Sequence, residues 1–295
     1  VVVVPGAKPI IFFGIMALVN EGEEVIYPNP GFPIYESVIN FVGAKPVPLP
    51  LREENEFRLD AEELGRLITP RTKMIIINSP QNPTGSVLTL EDLEAIARMA
   101  VEHNVWVMTD EAYSRMVYDG EHHSVLAFPG MKERTILIDG FSKTYAMTGW
   151  RLGYGVAPKP LTDAIAKLET NCNSCTPSFI QRAGIVALRS SQEASEAMMA
   201  QFKARRDVIV DGLNSLPGIS CVKPRGAFYA FPNVTGTGIE TSTLAKRILE
   251  EAGVAVLSGT AFGEYGEGYL RLSYANSVEN LRAAVKAIGE FLSRL

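Results

Sequence analysis

The strongest constraint on this chain's fold is a set of short runs that are apolar on consecutive residues rather than alternate ones. They are EEVIYP at 23–28, KMIIINSP at 73–80, VWVMTDE at 105–111 and TILIDG at 135–140. A strand covered on both faces reads this way, because helices lie above and below a parallel sheet. The segments between them carry helical spacing. Leu90, Leu93, Ala97 and Ala100 fall on one face, and Thr89 with Asp92 three residues later has the pattern of a capping box. The expected fold class is α/β, a mostly parallel sheet sandwiched by helices.

From about residue 190 the pattern changes. SQEASEAMMAQFKARRDVIVDGLNSL, at 191–216, reads as one long helix, followed by short strands around GAFYAFP and GYLRLSY. A last helix begins after Ser277, a candidate cap, with Leu281, Ala284, Val285, Ile288 and Leu292 as its apolar stripe. The expected organisation is a large domain over 1–190 and a smaller C-terminal α+β domain over 191–295 that includes the linking helix.

Composition narrows the function classes. A net charge of -5 with both signs interspersed offers no basic stripe, so no nucleic-acid partner is expected. No apolar run approaches the ~20 residues needed to cross a bilayer, so no membrane association is expected either. Three cysteines, an odd number, fit a reducing compartment, and the expected location is the cytoplasm.

In an open parallel sheet, ligands collect beyond the carboxyl ends of the strands. The segments following these runs supply Asn82, Asp110, Tyr113 and Lys143, and a later strand supplies Arg271. An amide, an acid, a phenol, an amine and a guanidinium suit chemistry on a carbonyl attached to an aromatic nitrogen and an anion. Lys143 could be a solvated turn residue. Desolvated and near another cation such as Arg151, it would have a lowered pKa and could form a Schiff base with a carbonyl. Asp110 could be a helix cap. Beside an aromatic cofactor nitrogen it would keep that nitrogen protonated, making the ring an electron sink.

NSPQNPTG at 78–85, TDEAYS at 109–114, GFSKTYAMTGWRLGYG at 140–155 and YLRLSYAN at 269–276 resemble, in order and spacing, the class I/II aminotransferases, pyridoxal-phosphate enzymes of fold type I related to aspartate aminotransferase. The opening PGAKPIIFFGIMALVNEGEEVIYPNPGFPIYE fits the same family's phosphate loop, first helix and cofactor-stacking loop, so the resemblance covers essentially the whole chain. It implies pyridoxal 5'-phosphate bound to Lys143, which then shuttles a proton, with Asp110 on the ring nitrogen and Tyr113 on the ring 3-oxygen. It implies Asn82 between that oxygen and the substrate carboxylate, and Arg271 as the carboxylate fork. Gly6, Ala7, Lys8, Ser142 and Arg151 would hold the phosphate, with Phe32 stacked on the ring. Physical chemistry agrees at the loop, where helix N-terminal N–H groups attract phosphate. The implied activity is ping-pong transfer of an amino group from an amino acid to a 2-oxo acid, by a homodimer. A carbon–sulfur β-lyase or the aminotransferase-like domain of a regulator are the alternatives.

The chain departs from the family at Gly140, where some members carry a hydroxyl, leaving Ser142 as the nearest one. It also begins inside what reads as the strand before the phosphate loop, so it is expected to belong to a longer chain with a further N-terminal segment. Cys172 and Cys175 form a C-x-x-C without a second pair or a histidine at metal-ligand spacing, and no metal site is expected. His122 and His123 read as solvated loop residues, Arg205 and Arg206 as a helix surface, and the glycines of 258–268 as a loop leading to the arginine strand.

Overall fold

Seven strands of the computed structural model, which describes residues 1–294, join in one sheet. They are β1 (Val2–Val4), β2 (Glu24–Asn29), β3 (Lys45–Pro50), β4 (Thr72–Asn78), β5 (Trp106–Asp110), β6 (Thr135–Gly140) and β7 (Gly153–Val156). Their order is β1-β7-β6-β5-β4-β2-β3. The run from β3 to β6 is parallel. β7 and β1 close one side antiparallel.

The connecting helices are α1 (Lys8–Leu18), α2 (Ile34–Phe41), α3 (Ala61–Leu67), α4 (Leu90–Glu102), α5 (Phe141–Thr144), α6 (Lys159–Asn173) and α7 (Ser178–Arg189). β4 shows why its sequence is apolar without alternation. Met74 and Ile76 enter a core with Ile10 and Ile11 of α1, Ile39 of α2 and Ile165 of α6. Ile75 and Ile77 enter the opposite core with Leu64 of α3 and Ile96 of α4. Both faces are thus covered.

The capping box at α4 is present, with Thr89 N–H donating to Asp92 at 2.8 Å and Asp92 N–H to the Thr89 hydroxyl at 3.2 Å. Leu90 does not join the buried stripe. It is 50% exposed at the first helical position, where a side chain leans back over the N-terminal turn. Ile96 and Met99 complete the stripe with Leu93, Ala97 and Ala100.

The remaining chain forms α8 (Glu193–Asn214), β8 (Tyr229–Ala230), α9 (Thr241–Ala252), β9 (Leu257–Ser258), β10 (Leu270–Ser273) and α10 (Val278–Leu292). Its strands make an antiparallel sheet in the order β8-β10-β9. Ser277 caps α10 by accepting the Asn280 N–H at 3.2 Å. Leu281, Ile288 and Leu292 are buried from its stripe, together with Phe291, whereas Ala284 and Val285 are only partly covered. Tyr113 and Met116, from the loop after β5, belong to this same core, so the segment carrying Tyr113 is clamped between the two sheets.

Two expectations are corrected here. Arg206 is not on a helix surface. It is 1% exposed, pairs with Asp119 and Asp207, donates to the Pro224 carbonyl at 3.1 Å and lies over the Tyr118 ring. A guanidinium tolerates such burial because two carboxylates and a carbonyl use its forked donors. Arg205 is half-buried over Phe202. Nor is His122 simply a solvated loop residue. Both histidines are half-buried in the loop, and His122 Nε2 lies 2.9 Å from Oε2 of Glu111, a buried carboxylate that also accepts from the Ser124 hydroxyl at 2.6 Å.

Candidate active site

The parallel strands end beneath one cavity of about 360 Å³, as expected where side chains from several loops converge. Asp110 ends β5, Asn78 ends β4 and Gly140 ends β6, and all three line it. Ala7, Lys8, Phe32, Asn82, Tyr113, Ser142, Lys143, Arg151 and Arg271 line it too. Of the expected site residues only Gly6 is absent from the wall, and it supports the wall from behind.

Gly6 has φ +84°, which favours glycine, and a Cβ there would collide with the Arg151 guanidinium. A Cβ on Gly153 would lie 2.5 Å from the Ala7 nitrogen, so β7 must present a bare backbone for the loop to approach. α1 then starts at Lys8, with Ala7 as its N-cap and no side chain capping its first amides. Uncapped helix-start amides beside a guanidinium are the chemistry that an anion fits. Arg151 itself takes a left-handed φ of +52°, a conformation that costs a non-glycine residue about 1 kcal/mol and concentrates at functional sites. Its Nη1 donates to the Thr148 carbonyl at 2.8 Å.

Asp110 is buried at 7% exposure. Its Oδ2 accepts the Tyr35 hydroxyl at 2.7 Å and its Oδ1 the Ala112 N–H at 3.2 Å. Burial nevertheless raises its pKa, despite those bonds and the Lys143 charge. A cationic N–H donor in the cavity would reverse that penalty.

Lys143 stands in α5, the single turn after β6. Its Nζ lies 5.1 Å from the Phe228 ring centroid and 5.6 Å from that of Tyr113, and has no carboxylate partner within ion-pair distance among the described residues. Burial is the main cause of its lowered pKa, with Arg271 next and Arg151 contributing less. The expected depression is present, but Arg271 is a stronger cationic influence than the sequence-adjacent Arg151. A depressed amine is a better nucleophile at neutral pH.

Arg271 comes from β10, in the smaller sheet, rather than from an end of the parallel sheet. Its Nη1 donates to Asn82 Oδ1 at 3.0 Å, and its guanidinium is braced between the rings of Tyr229 at 4.4 Å and Phe262 at 4.7 Å. Asn82 is held in turn through its N–H, which donates to Asn78 Oδ1 at 2.9 Å. Phe32 faces the cavity with Lys8 Nζ 5.1 Å above its ring. Ser142 lines the cavity, and the Gly140 N–H is satisfied by Asp139 Oδ1 at 2.6 Å.

Three groups escaped the sequence reading. Tyr35 is fully buried against Asp110, Asn78 organises Asn82 and donates to the Asp110 carbonyl at 2.9 Å, and Tyr229 contacts both Tyr113 and Arg271. The available signal was the spacing of Tyr35, three residues after Phe32 and on the same side of the chain's entry into α2. Asn78 and Tyr229 carry no such local signal, since each acts on residues remote in sequence. Cys172 and Cys175 are exposed free thiols, and Cys221 is buried. Among the described residues no cluster suits a metal ion, and no helix is long and apolar enough to cross a membrane.

The donor set fits pyridoxal phosphate: an anion seat, a buried carboxylate lacking a cation, a depressed amine, and an aromatic wall are in one cavity. Comparison with known proteins agrees. The family model for aminotransferase class I and II matches residues 1–288. An aspartate aminotransferase of Pyrococcus abyssi is 44% identical, with 99% of this chain and 76% of that protein covered. An aromatic-amino-acid aminotransferase of Thermococcus litoralis is 42% identical, with the same shares of 99% and 76%. The crystal structure of an aromatic aminotransferase from Pyrococcus horikoshii superposes with a TM-score of 0.96 at 43% identity, covering 99% of this chain and 79% of that one.

Proposed function

The chain belongs to the class I and II aminotransferases and is an amino-acid aminotransferase of that pyridoxal-phosphate-dependent family, and from that premise we propose how its own residues bind the cofactor and substrate. The observation that carries this reading is that one cavity collects Lys143, Asp110, Arg151 and Arg271 from four separate segments.

Arg151, the amides of Gly6, Ala7 and Lys8, and Ser142 would hold the phosphate of pyridoxal 5'-phosphate. Asp110 would accept the ring N–H, Tyr113 and Asn82 would serve the ring 3-oxygen, and Phe32 would cover the ring. When bound, the cofactor supplies an electron sink for the pair released at the amino acid's α-carbon. Lys143 Nζ, whose pKa is lowered by burial and by Arg271, would be the group that attaches to the cofactor carbonyl, and it would hold and return the α-proton of the substrate. Arg271 grips the substrate α-carboxylate as a fork, and Asn82 fixes the guanidinium plane. Burial of Tyr113 keeps its phenol protonated, so it donates rather than accepts at the 3-oxygen. In the second half-reaction the same groups would serve a 2-oxo acid, Arg271 taking its carboxylate and Lys143 moving the proton in the reverse direction.

The test is a panel of amino acids on the reconstituted protein, followed by absorbance. Loss of the visible band with formation of pyridoxamine phosphate and a 2-oxo acid supports the reading, and an unchanged spectrum with every amino acid refutes it. The two relatives named above differ in substrate at nearly equal similarity, so the panel includes both acidic and aromatic amino acids.

The working organisation follows the same reading: a cofactor-binding domain over 1–190 and a small domain over 191–295, in a cytoplasmic protein whose cysteines stay reduced. The partner is a second copy of the chain. α7 exposes Phe179 and Val186 at 67% and 63%, seven residues apart on one helix face, an apolar surface that a homodimer would cover. Sedimentation at two concentrations checks this, and a monomer at both would exclude it.

A further inference from the structure

Tyr229 opens β8 and lies in the cavity wall with 7% exposure. Its hydroxyl is 2.9 Å from the Tyr113 hydroxyl, and its ring meets the Tyr113 ring edge-on at 5.9 Å. The opposite contact is to Arg271, whose guanidinium carbon lies 4.4 Å from the Tyr229 ring centroid. Phe262 lies 4.7 Å from the same carbon, so the guanidinium has an aromatic ring as neighbour twice over.

We propose that Tyr229 is a positioning residue joining the two halves of the site: its hydroxyl donates to the Tyr113 oxygen, and its ring braces the Arg271 guanidinium. The assignment rests on the reading of this cavity as the cofactor and carboxylate site.

The direction of the hydrogen bond follows from what each hydroxyl faces. Burial raises the pKa of both phenols, so both keep their protons. In the reading above Tyr113 commits its proton to the cavity, which leaves Tyr229 as the donor and the Tyr113 oxygen as the acceptor between them. A phenol that accepts one hydrogen bond is polarised to donate its own proton more strongly, so Tyr113 is left aimed into the cavity as a reinforced donor. At Arg271 the ring acts by a different route. The guanidinium is half-buried, burial lowers its pKa, and it has one side-chain hydrogen-bond acceptor, Asn82, among the described residues. An aromatic face supplies attraction without an acceptor atom, leaving the remaining N–H groups for a substrate carboxylate. A carboxylate in the place of Tyr229 would hold the cation more tightly and also occupy its fork.

Two substitutions separate the two contacts. Tyr229→Phe keeps the ring and removes the hydroxyl, whereas Tyr229→Leu removes both. The first readout is the pH midpoint of the visible absorbance band of the protein loaded with pyridoxal phosphate. The second is the affinity for succinate, measured by titration calorimetry on cofactor-free protein. Tyr229→Phe should raise the midpoint by about half a pH unit or more, because the 3-oxygen loses part of its donor, and should leave succinate affinity within about twofold. Tyr229→Leu should raise the midpoint similarly and weaken succinate binding about fivefold. An unmoved midpoint in Tyr229→Phe overturns the hydroxyl's role, and unchanged succinate affinity in Tyr229→Leu overturns the ring's role. A wild-type protein that takes up no visible band refutes the cofactor reading instead, while the succinate comparison still decides the brace on Arg271. Should Tyr229→Leu not fold, Tyr229→Phe alone decides the proposal, with an unmoved midpoint counting against it.

Discussion

The hydroxyl of Tyr35 donates to Asp110 Oδ2 at 2.7 Å, between two groups that are both buried. Burial pushes the Tyr35 pKa well up, and Asp110 adds to that, so the phenol keeps its proton and serves as a fixed donor. This bond is one of the few influences that hold Asp110 ionised against its desolvation. Tyr35→Phe should therefore weaken cofactor retention about tenfold, since a hydrogen bond to a charged group is worth ~1.5–3 kcal/mol. Equilibrium dialysis of pyridoxal phosphate measures it, and retention equal to wild type would show that Asp110 does not need the phenol.

Asp139 carries a pH effect of opposite sign to an ordinary salt-bridged acid. Burial pushes its carboxyl up to about 6, partly offset by the Gly140 N–H and the Tyr154 hydroxyl. With the folded value raised, the group's stabilising contribution is complete below its ordinary value of 3.8 and is lost as pH rises through about 6. That loss amounts to about 3 kcal/mol between pH 3.5 and pH 7. Asp139→Asn, which cannot ionise, should lack this slope. Urea unfolding of both cofactor-free proteins across that range tests it, with parallel curves as the contrary result.

Lys143 and Arg271 should separate chemistry from binding. Lys143→Ala should abolish the visible band attributed to attachment of the cofactor and stop the half-reaction, because Lys8, the other amine in the cavity wall, is engaged over the Phe32 ring and does not stand in the turn after β6. Arg271→Lys retains the charge but loses the fork, and kcat/KM should fall about 30-fold or more through KM, the lower end of the ~2–5 kcal/mol seen when a buried charged pair is disrupted. Steady-state kinetics read both, and an Arg271→Lys effect confined to kcat would contradict the carboxylate assignment.

Gly6→Ala places a methyl at φ +84° and against the Arg151 guanidinium. The strain should cost about 1–2 kcal/mol of stability, and Arg151 must leave the anion seat. Phosphate-competed binding of the cofactor should weaken well beyond the effect on unfolding. Gly22→Ala is the control, since its φ of +80° is similar but its Cβ meets nothing. Equal loss of cofactor affinity in both variants would reduce the effect to backbone strain.

Much of the architecture was legible because it is written in short range. The four apolar runs became the parallel strands β2, β4, β5 and β6, and the capping residues Thr89 and Ser277 start the helices they were read to start. The misreadings share a cause. Arg206 reads as surface because it is charged, although it stands at helical spacing among the buried Phe202, Ile209 and Leu213 of α8, and His122 because it follows a turn, yet each is covered by a partner from elsewhere, Asp119 for one and Glu111 for the other. Leu90 errs the other way, an apolar residue at a helix start that stays half exposed.

What the sequence determined by itself is the set of reactive groups and the backbone that carries them: strands apolar on both faces, a glycine-bearing loop before α1, and Lys143 in the turn after β6. What the tertiary structure decided is the state of those groups. Lys143 owes its lowered pKa chiefly to burial and to Arg271, 128 positions along the chain from it. Asp110 takes its donor from Tyr35, and Tyr113 meets Tyr229 across 116 residues. Desolvation and charge act through distance in space, and only the closing of one sheet against the other sets that distance.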